Sequence, residues 1–368
     1  MVMMNRSKID VAVIVPQREE YKAVAKVFSI STIAAQAALP HGGTYVISKI
    51  KTKSSSQPLR LAIACINDMY NYPCLALTER LLLHIKPSFV FLVGSACGNL
   101  RKVKICDVVI MTDKVAHLGR GRRMGNEVNP RPHTEPIAQR MKDAITRYTT
   151  YRAEDFNRWN RRCRKSLRKI CGDSLPSNFN RKDIFEIKTG IIASDDLVLS
   201  WSNQDDARNY WAKYVSEEAK AYDMKSAGFS HACAKRTNEP NWTIIRGISD
   251  HGIDGEKKYH MAAATIAAEW LKGFITKDEG VFGSKPRGKI LKTNLQQIYE
   301  LLEQEQKKNL FVGKRRFIRV NLCSDYTKIR TLEHAINQAV IKEYEVKNPR
   351  KEGHTTTAIR LDKESKFL

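Results

Sequence analysis

Residues 8 to 16 read Lys-Ile-Asp-Val-Ala-Val-Ile-Val-Pro, an apolar run closed by Pro16. A run with no polar face reads as a strand covered on both sides, as strands are inside a parallel sheet packed between helices. Proline then ends the run, because it has no N–H for the ladder.

The rest of the first 275 residues repeats that rhythm. A helical pattern runs from Glu19 to Phe28. Strands are expected at 43 to 49 and 59 to 66, separated by a Lys/Ser loop from Lys51 to Gln57. An amphipathic helix is expected at 74 to 85, and a strand at Phe89 to Val93 that stops at Gly94-Ser-Ala-Cys-Gly98. A further strand covers Asp107 to Thr112. The pattern resumes at Lys188 to Ala193 and Asn241 to Ile248, and closes with a long Ala-rich helix from Tyr259 to Phe274. Alternating buried strands and helices predict an α/β fold with a mixed, mostly parallel central sheet.

Residues 118 to 185 interrupt the alternation. Arg120, Arg122, Arg123 and Arg131 fall in a Gly/Asn/Pro-rich loop, followed by a basic helical insertion. From Arg158 to Lys169 the cations are Arg158, Arg161, Arg162, Arg164, Lys165, Arg168 and Lys169, with Phe156 and Trp159 nearby and no acid among them. Cations with aromatics fit a nucleic-acid footprint, and fit a solvated helix face equally well. Residues 277 to 289 read as a linker after a domain at 1 to 276, and 290 to 368 as a small basic α+β extension. In that extension helices are expected at Leu291 to Gln306 and Leu332 to Tyr344, with a strand at Phe317 to Leu322.

Composition limits the partners. Against 39 acids there are 63 Lys and Arg, a formal charge of +24, which favours polyanions such as nucleic acid, nucleotides or an acidic protein. No stretch approaches the roughly 20 apolar residues of a membrane span, and no secretory leader is evident. The eight cysteines form no CxxC pair, which suits a reduced cytoplasm and no metal site. No cofactor-binding fingerprint is expected.

Four segments together resemble the purine nucleoside phosphorylase and methylthioadenosine nucleosidase superfamily over roughly residues 8 to 275. They are Val13-Ile-Val-Pro-Gln-Arg-Glu-Glu-Tyr-Lys-Ala, then Lys86-Pro-Ser-Phe-Val-Phe-Leu-Val-Gly-Ser-Ala-Cys-Gly-Asn-Leu with Val103-Lys-Ile-Cys-Asp-Val-Val-Ile, then Thr189-Gly-Ile-Ile-Ala-Ser-Asp-Asp, and last Asp223-Met-Lys-Ser-Ala-Gly with Arg246-Gly-Ile-Ser-Asp-His. The last segment, with a later Tyr-His-Met-Ala-Ala-Ala, is similar to phosphorylase-type domains of antiviral nucleotide-cleaving effectors. The resemblance implies a three-layer nucleoside-phosphorylase-like fold and a homo-oligomer.

Breaking a purine N-glycosidic bond needs a proton on N7, negative charge near the oxocarbenium-like sugar, and a nucleophile on the opposite face. By resemblance, Asp250 is the general acid and Glu20 the carboxylate that orients or activates water. Gly94, Ser95 and Gly98 match the loop that holds an anion or nucleophile near the sugar. Met224 matches the residue under the ribose, and Ser194 and Val198 match the base pocket, with Asp195 in place of the usual Gly. Arg120 falls where nucleotide-directed relatives carry basic loops. Taken alone, Asp250 equally fits a helix cap and Glu20 a dipole-stabilising first-turn acid.

Lys225 stands where the resemblance requires a Glu that accepts from ribose hydroxyls, and an ammonium cannot accept. Three readings remain open. Asp223 takes the ribose contact while Lys225 meets a nucleotide phosphate; the site is silent and the chain is a binding scaffold; or the lysine is an introduced, inactivating change. The resemblance therefore implies a purine nucleotide N-glycosidase, ATP nucleosidase-like, acting in antiviral defence. The alternatives are a catalytically silent nucleic-acid-binding or interaction protein on the same fold, and a nucleoside phosphorylase.

Overall fold

The computed structural model describes residues 9 to 277 apart from 31–35, 41, 53–56, 119–120, 125–126, 131–132, 151–152, 173–183, 212–214, 216–217, 236–239 and 254–258, and beyond 277 it describes residue 282 and three strands. Two compact units result, Met1–Gly283 and Ser284–Leu368.

In chain order the first unit contains β1 (Val11–Val15), α1 (Arg18–Val27), β2 (Gln36–Ala38), β3 (Thr44–Ile50), β4 (Leu59–Cys65), α2 (Asn71–Ile85), β5 (Phe89–Gly98) and β6 (Val108–His117). There follow β7 (Gly121–Met124), β8 (Glu127–Pro130), β9 (His133–Pro136), α3 (Gln139–Thr150), α4 (Ala153–Cys171), β10 (Ile187–Ser194), α5 (Gln204–Tyr210), β11 (Ala219–Asp223), α6 (Ser226–Ala234), β12 (Asn241–Asp250) and α7 (His260–Lys277). The second unit contains β13 (Val312–Gly313), β14 (Ile341–Lys347) and β15 (Thr355–Leu361), paired in the order β13-β15-β14.

All five residues of β1 are buried, because β4 and β5 flank it in parallel and helices cover it. The main sheet runs β11-β10-β6-β12-β5-β1-β4-β3-β2, with β9 beside β6. Parallel pairings link β4, β1, β5 and β12, and again β6, β10 and β11, whereas β6 meets β12 antiparallel. The sheet also curls on itself: Ala221 and Tyr222 of β11 pair with Gly98 and Cys97 of β5. This contact closes β11, β10, β6, β12 and β5 into a barrel-like ring. It brings the C-terminal ends of β5, β10, β11 and β12 together, the place where α/β sheets offer a binding crevice.

Helices α1, α4 and α7 pack together, and α2 packs on α6. Helix α7 can lie close on β12 only because β12 carries Gly247. A Cβ built at Gly247 would sit 2.0 Å from the Ala263 carbonyl oxygen of α7, a backbone atom that cannot rotate away. Gly247→Ala is therefore expected to force α7 off the sheet and to cost about 3 kcal/mol, the upper part of the overpacking range. Equilibrium urea unfolding checks this, and an unchanged midpoint would show that the helix shifts freely.

Several expectations change. Strand β5 continues through Gly94–Gly98, where a turn was expected. The small residues there allow close packing inside the ring, since a Cβ at Gly98 would lie 2.6 Å from Ile248 Cγ2 and 2.7 Å from Val103 Cγ2. The expected Gly/Asn/Pro-rich loop is partly a hairpin, with Arg122 and Arg123 on β7 paired to β8. Arg120 and Arg131 lie outside the described residues, as do the expected helix at Leu291 to Gln306 and strand at Phe317 to Leu322. The expected helix at Leu332 to Tyr344 is replaced from Ile341 onward by β14; its earlier part lies outside the described residues.

Helix α4 is no loose appendage. Trp159, Cys163, Leu167, Ile170 and Cys171 are buried, and the helix packs on α7. Trp159 is 1% exposed, so it cannot stack on a base. Arg162 turns inward to an ion pair with buried Glu269, at 3.2 Å. Arg158 lies 3.9 Å from Asp155 on its own helix. Arg161, Lys165, Arg168 and Lys169 remain exposed beside half-buried Arg164 and line a concavity of about 500 Å³. Among the described residues, no helix is long and apolar enough to cross a membrane.

Candidate active site

The closed ring sets the site. Glu20 sits three residues after the α1 cap Gln17 and is buried. Its Oε2 accepts from the Gln17 backbone N–H at 3.2 Å, one half of a capping box that satisfies a helix-end donor. Its Oε1 reaches across to β5 and accepts from both Ser95 N–H at 2.7 Å and Ser95 Oγ at 2.5 Å. The cap and the site thus share one carboxylate.

Ser95 Oγ also lies 2.8 Å from His260 Nδ1, at the start of α7. A hydroxyl has one proton. If Ser95 gives it to Glu20, His260 must donate from Nδ1, and a His–Ser–Glu relay results. These bonds occupy the N–H and hydroxyl of Ser95, so the expected anion-holding role of this segment is not available to Ser95 while Glu20 keeps them.

Asp250 ends β12 and pairs in register with Cys97 of β5, two residues beyond Ser95. Its Oδ2 accepts from Ser249 Oγ at 2.6 Å and its Oδ1 from Gly252 N–H at 2.8 Å. Gly252 has φ of +76°, and Trp201 Cζ3 lies 2.2 Å from where its Cβ would be. Only glycine serves there: the turn that presents Asp250 is left-handed and capped by an indole ring.

Asp223, at the end of β11, is fully committed. Its Oδ1 accepts from Lys225 N–H at 2.9 Å, Ser226 N–H at 2.7 Å and Ser194 Oγ at 3.2 Å. Its Oδ2 accepts from Arg246 Nε at 2.6 Å and from Ser226 Oγ. Burial pushes its carboxyl up, but the Arg246 charge and the Ser226 and Lys225 hydrogen bonds outweigh it and hold it below the usual range. With four donors of its own, and Ser194 Oγ as a fifth whose one proton it shares with Asn71 Oδ1, Asp223 has no acceptor left for a ribose hydroxyl, which removes the expectation that it replaces a glutamate at position 225.

Asn71, first residue of α2, joins this group to its surroundings. Its Oδ1 accepts from Gly228 N–H at 2.9 Å and is the alternative acceptor, at 3.2 Å, for the one Ser194 hydroxyl proton that Asp223 also accepts, and its N–H and Nδ2 donate to Asp196 Oδ1 at 2.7 and 2.9 Å.

Lys225 is the residue that caps the start of α6 and is 6% exposed. Burial lowers its pKa and Arg246 lowers it further, against the pull of Asp223, Glu20 and Cys74. Arg246 is 0% exposed, in the middle of β12. Its Nη1 and Nη2 have no hydrogen-bond partner among the described residues.

The structure thus gathers Glu20, Gly94, Ser95, Ser194, Asp223, Met224 and Lys225 near the strand ends of one ring, with Asp250 at the end of the adjoining strand. Val198 is 58% exposed in the stretch after β10, and Arg120 is outside the described residues. The cations of α4 line a separate concavity that shares no residue with this group. Sequence reasoning gave no role to Arg246, His260 or Asn71. For Arg246 the signal was present: an arginine inside Trp-Thr-Ile-Ile-Arg-Gly-Ile is a charge in a strand that must be buried. Among the described residues no three His, Cys, Asp or Glu side chains gather as a metal ion would need.

Comparison with known proteins adds three findings. Residues 10–277 match the family model of the phosphorylase superfamily. The chain is 24% identical over 262 residues to the ATP nucleosidase Cap17 of Escherichia coli (strain KTE188), covering 69% of this chain and 49% of that protein. It thus spans about half the length of the curated relatives it matches. Among solved structures, the 5'-methylthioadenosine/S-adenosylhomocysteine nucleosidase from Helicobacter pylori with butyl-thio-DADMe-Immucillin-A is similar at a TM-score of 0.50 and 14% identity, covering 73% of this chain and 99% of that one. A likeness at that identity shows a shared fold.

Proposed function

The chain belongs to the phosphorylase superfamily, and we propose that it cleaves the N-glycosidic bond of a purine nucleotide, releasing the base and a ribose phosphate. The observation that carries this reading is a pair of buried carboxylates on one closed ring. Glu20 is fixed on Ser95 of β5, and Asp250 ends the neighbouring parallel strand β12. Such a pair divides the labour of glycosidic cleavage, as in glycosidases.

Asp250, when protonated, gives its proton to purine N7. The C1'–N9 bond then breaks with its electrons going to the base. Water attacks C1' and loses a proton to Glu20, whose Oε2 carries one backbone bond and keeps acceptor capacity for that water. Ser95 and His260 hold the Glu20 carboxylate in place. The purine leaves neutral and the sugar gains a hydroxyl at C1'.

A nucleotide rather than a free nucleoside is favoured by the basic charge of the chain and by the two buried cations, Lys225 and Arg246, gathered on Asp223. The curated relative's name, an ATP nucleosidase, points the same way. Depletion of purine nucleotides in antiviral defence, self-association, and a polyanionic regulatory partner on the exposed cations of α4 belong to the same reading. The silent-scaffold alternative rests on Lys225.

The test is a substrate panel of ATP, dATP, AMP and adenosine in oxygen-18 water, with inorganic phosphate absent and then present. Free adenine from the nucleotides and label on the sugar C1' are expected without phosphate. Turnover only with phosphate, yielding a sugar 1-phosphate, would make the chain a phosphorylase. Absence of free base in every arm would leave the scaffold.

A further inference from the structure

We infer that the cationic face of α4 docks the phosphodiester backbone of a double-stranded nucleic acid without reading its bases. This deepens the reading of a polyanionic partner on α4 and rests on it; it is independent of base release.

Between Arg161 and Lys169 every exposed side chain is a cation: Arg161, Lys165, Arg168 and Lys169. With half-buried Arg164 they line a concavity of about 500 Å³. Their spacing makes Arg161 and Lys165, Arg164 and Arg168, and Lys165 and Lys169 like-charge neighbours on one helix surface, an unfavourable arrangement. No acid stands between Phe156 and Gly172 to separate them. Among the described residues, the carboxylates bonded to this helix are already engaged. Glu269 takes Arg162 and Ser166 on the packed side, and Asp155 takes Arg158 and Lys277 near the helix start. Solvent-facing cations elsewhere do find carboxylates, as Lys142 finds Asp113 at 2.7 Å and Arg208 finds Asp205 at 3.0 Å. The helix dipole accounts for Arg168 and Lys169 in the last turn, but not for Arg161, Arg164 and Lys165.

A row of phosphates relieves this repulsion and fits the face. The run from Arg161 to Lys169 covers roughly 12 Å of helix, the length of about three to four phosphates along one strand. Arg161, Arg164 and Arg168 carry planar forks that suit phosphate oxygens. Single-stranded bases would need aromatic platforms. Trp159 offers none: it is 1% exposed and lies against Phe156, with ring centroids 5.7 Å apart. A protein partner or a bilayer would need apolar side chains on the same face. Those of α4, Trp159, Cys163 and Leu167, are buried in the core. What remains is charge in a row, which holds a duplex by its backbone and leaves the sequence unread.

The experiment is fluorescence anisotropy of the full chain with two short DNA duplexes of unrelated sequence, over a series of salt concentrations. The duplexes are expected to bind within about twofold of each other. The combined variant Arg161→Gln, Lys165→Gln, Arg168→Gln and Lys169→Gln should bind about tenfold or more weakly, and its log–log salt slope should flatten by about three to four units. A charge-matched control, Lys49→Gln, Lys51→Gln, Arg101→Gln and Arg140→Gln, alters exposed cations elsewhere and should stay within about twofold of the unaltered chain. Equal losses in the two variants, or no duplex binding by the unaltered chain, overturn the docking face. Tighter binding to polyglutamate or to phosphatidylserine vesicles than to duplex, lost in the α4 variant, keeps a polyanionic partner and overturns the nucleic acid. Tighter binding to the single strands, or a clear preference for one duplex, overturns docking by the backbone alone. Should the α4 variant not fold, acetylation of the unaltered chain decides: duplex must slow modification of Lys165 and Lys169 relative to Lys49 and Lys51, and equal rates overturn the proposal. Base release is read on the same samples without duplex. It is expected to be the same in all three proteins, because the α4 face shares no residue with the candidate site. Its absence would remove the cleavage reading and leave the docking result standing.

Discussion

Asp250→Asn is expected to slow base release by about 10²- to 10⁴-fold, the usual contribution of a positioned general acid. The change is close to isosteric, and the hydrogen bonds around it survive in large part. The amide oxygen still accepts from Gly252 N–H, and Ser249 Oγ has a second acceptor in the Ala96 carbonyl at 3.3 Å. The left-handed turn under Trp201 is therefore kept, and what is lost is the transferable proton. Released purine is followed by chromatography, and far-ultraviolet circular dichroism confirms the fold. A loss below tenfold in a folded variant would remove Asp250 from the acid role. It would leave the residue as the cap of its turn.

The second large effect is structural. Asp223→Ala should destabilise the domain by about 3–5 kcal/mol, the cost of removing one partner of a buried ion pair. Four donors lose their acceptor at once while Ser194 keeps Asn71, and Arg246 loses its ion-pair partner. The effect also has a pH signature. The Asp223 pKa is lowered in the folded state from its ordinary 3.8, so its stabilisation is complete above the unfolded value and fades as pH falls through the lower folded one. Denaturant midpoints of the two proteins should differ most near neutrality and converge in acid. A constant gap down to low pH would mean that packing, not charge, holds the residue. Asp223→Asn, which keeps the shape, should fall between the two.

How much of this was legible depended on what each segment needed from its neighbours. β1, α1 and α7 read directly, because a run of buried residues or a helical period is a local signal. The far half of β5 did not. Gly-Ser-Ala-Cys-Gly reads as a turn on its own, and becomes strand because the ring closes there and admits only small side chains. Helix α4 was legible as a helix but misread as a surface. Its Trp159, Cys163 and Leu167 recur every four residues, the stripe of a packed face, and the cations occupy the other side. In the second unit, Glu343–Lys347 alternates polar and apolar with the period of a strand, which a helical reading of Leu332 to Tyr344 overran. At the site, the carboxylates and Lys225 were found from motif order. The saturation of Asp223 and the open fork of Arg246 depend on contacts between β11, β12 and α6, and no spacing along the chain encodes them.

The central claim is cleavage of a purine nucleotide at its glycosidic bond, and the direct measurement is the time course of free adenine from ATP incubated with the unaltered chain. The account predicts adenine accumulating in step with ribose triphosphate. It predicts loss of both signals in Asp250→Asn. ATP that stays intact with a folded protein, alongside equally intact dATP and AMP, would contradict it.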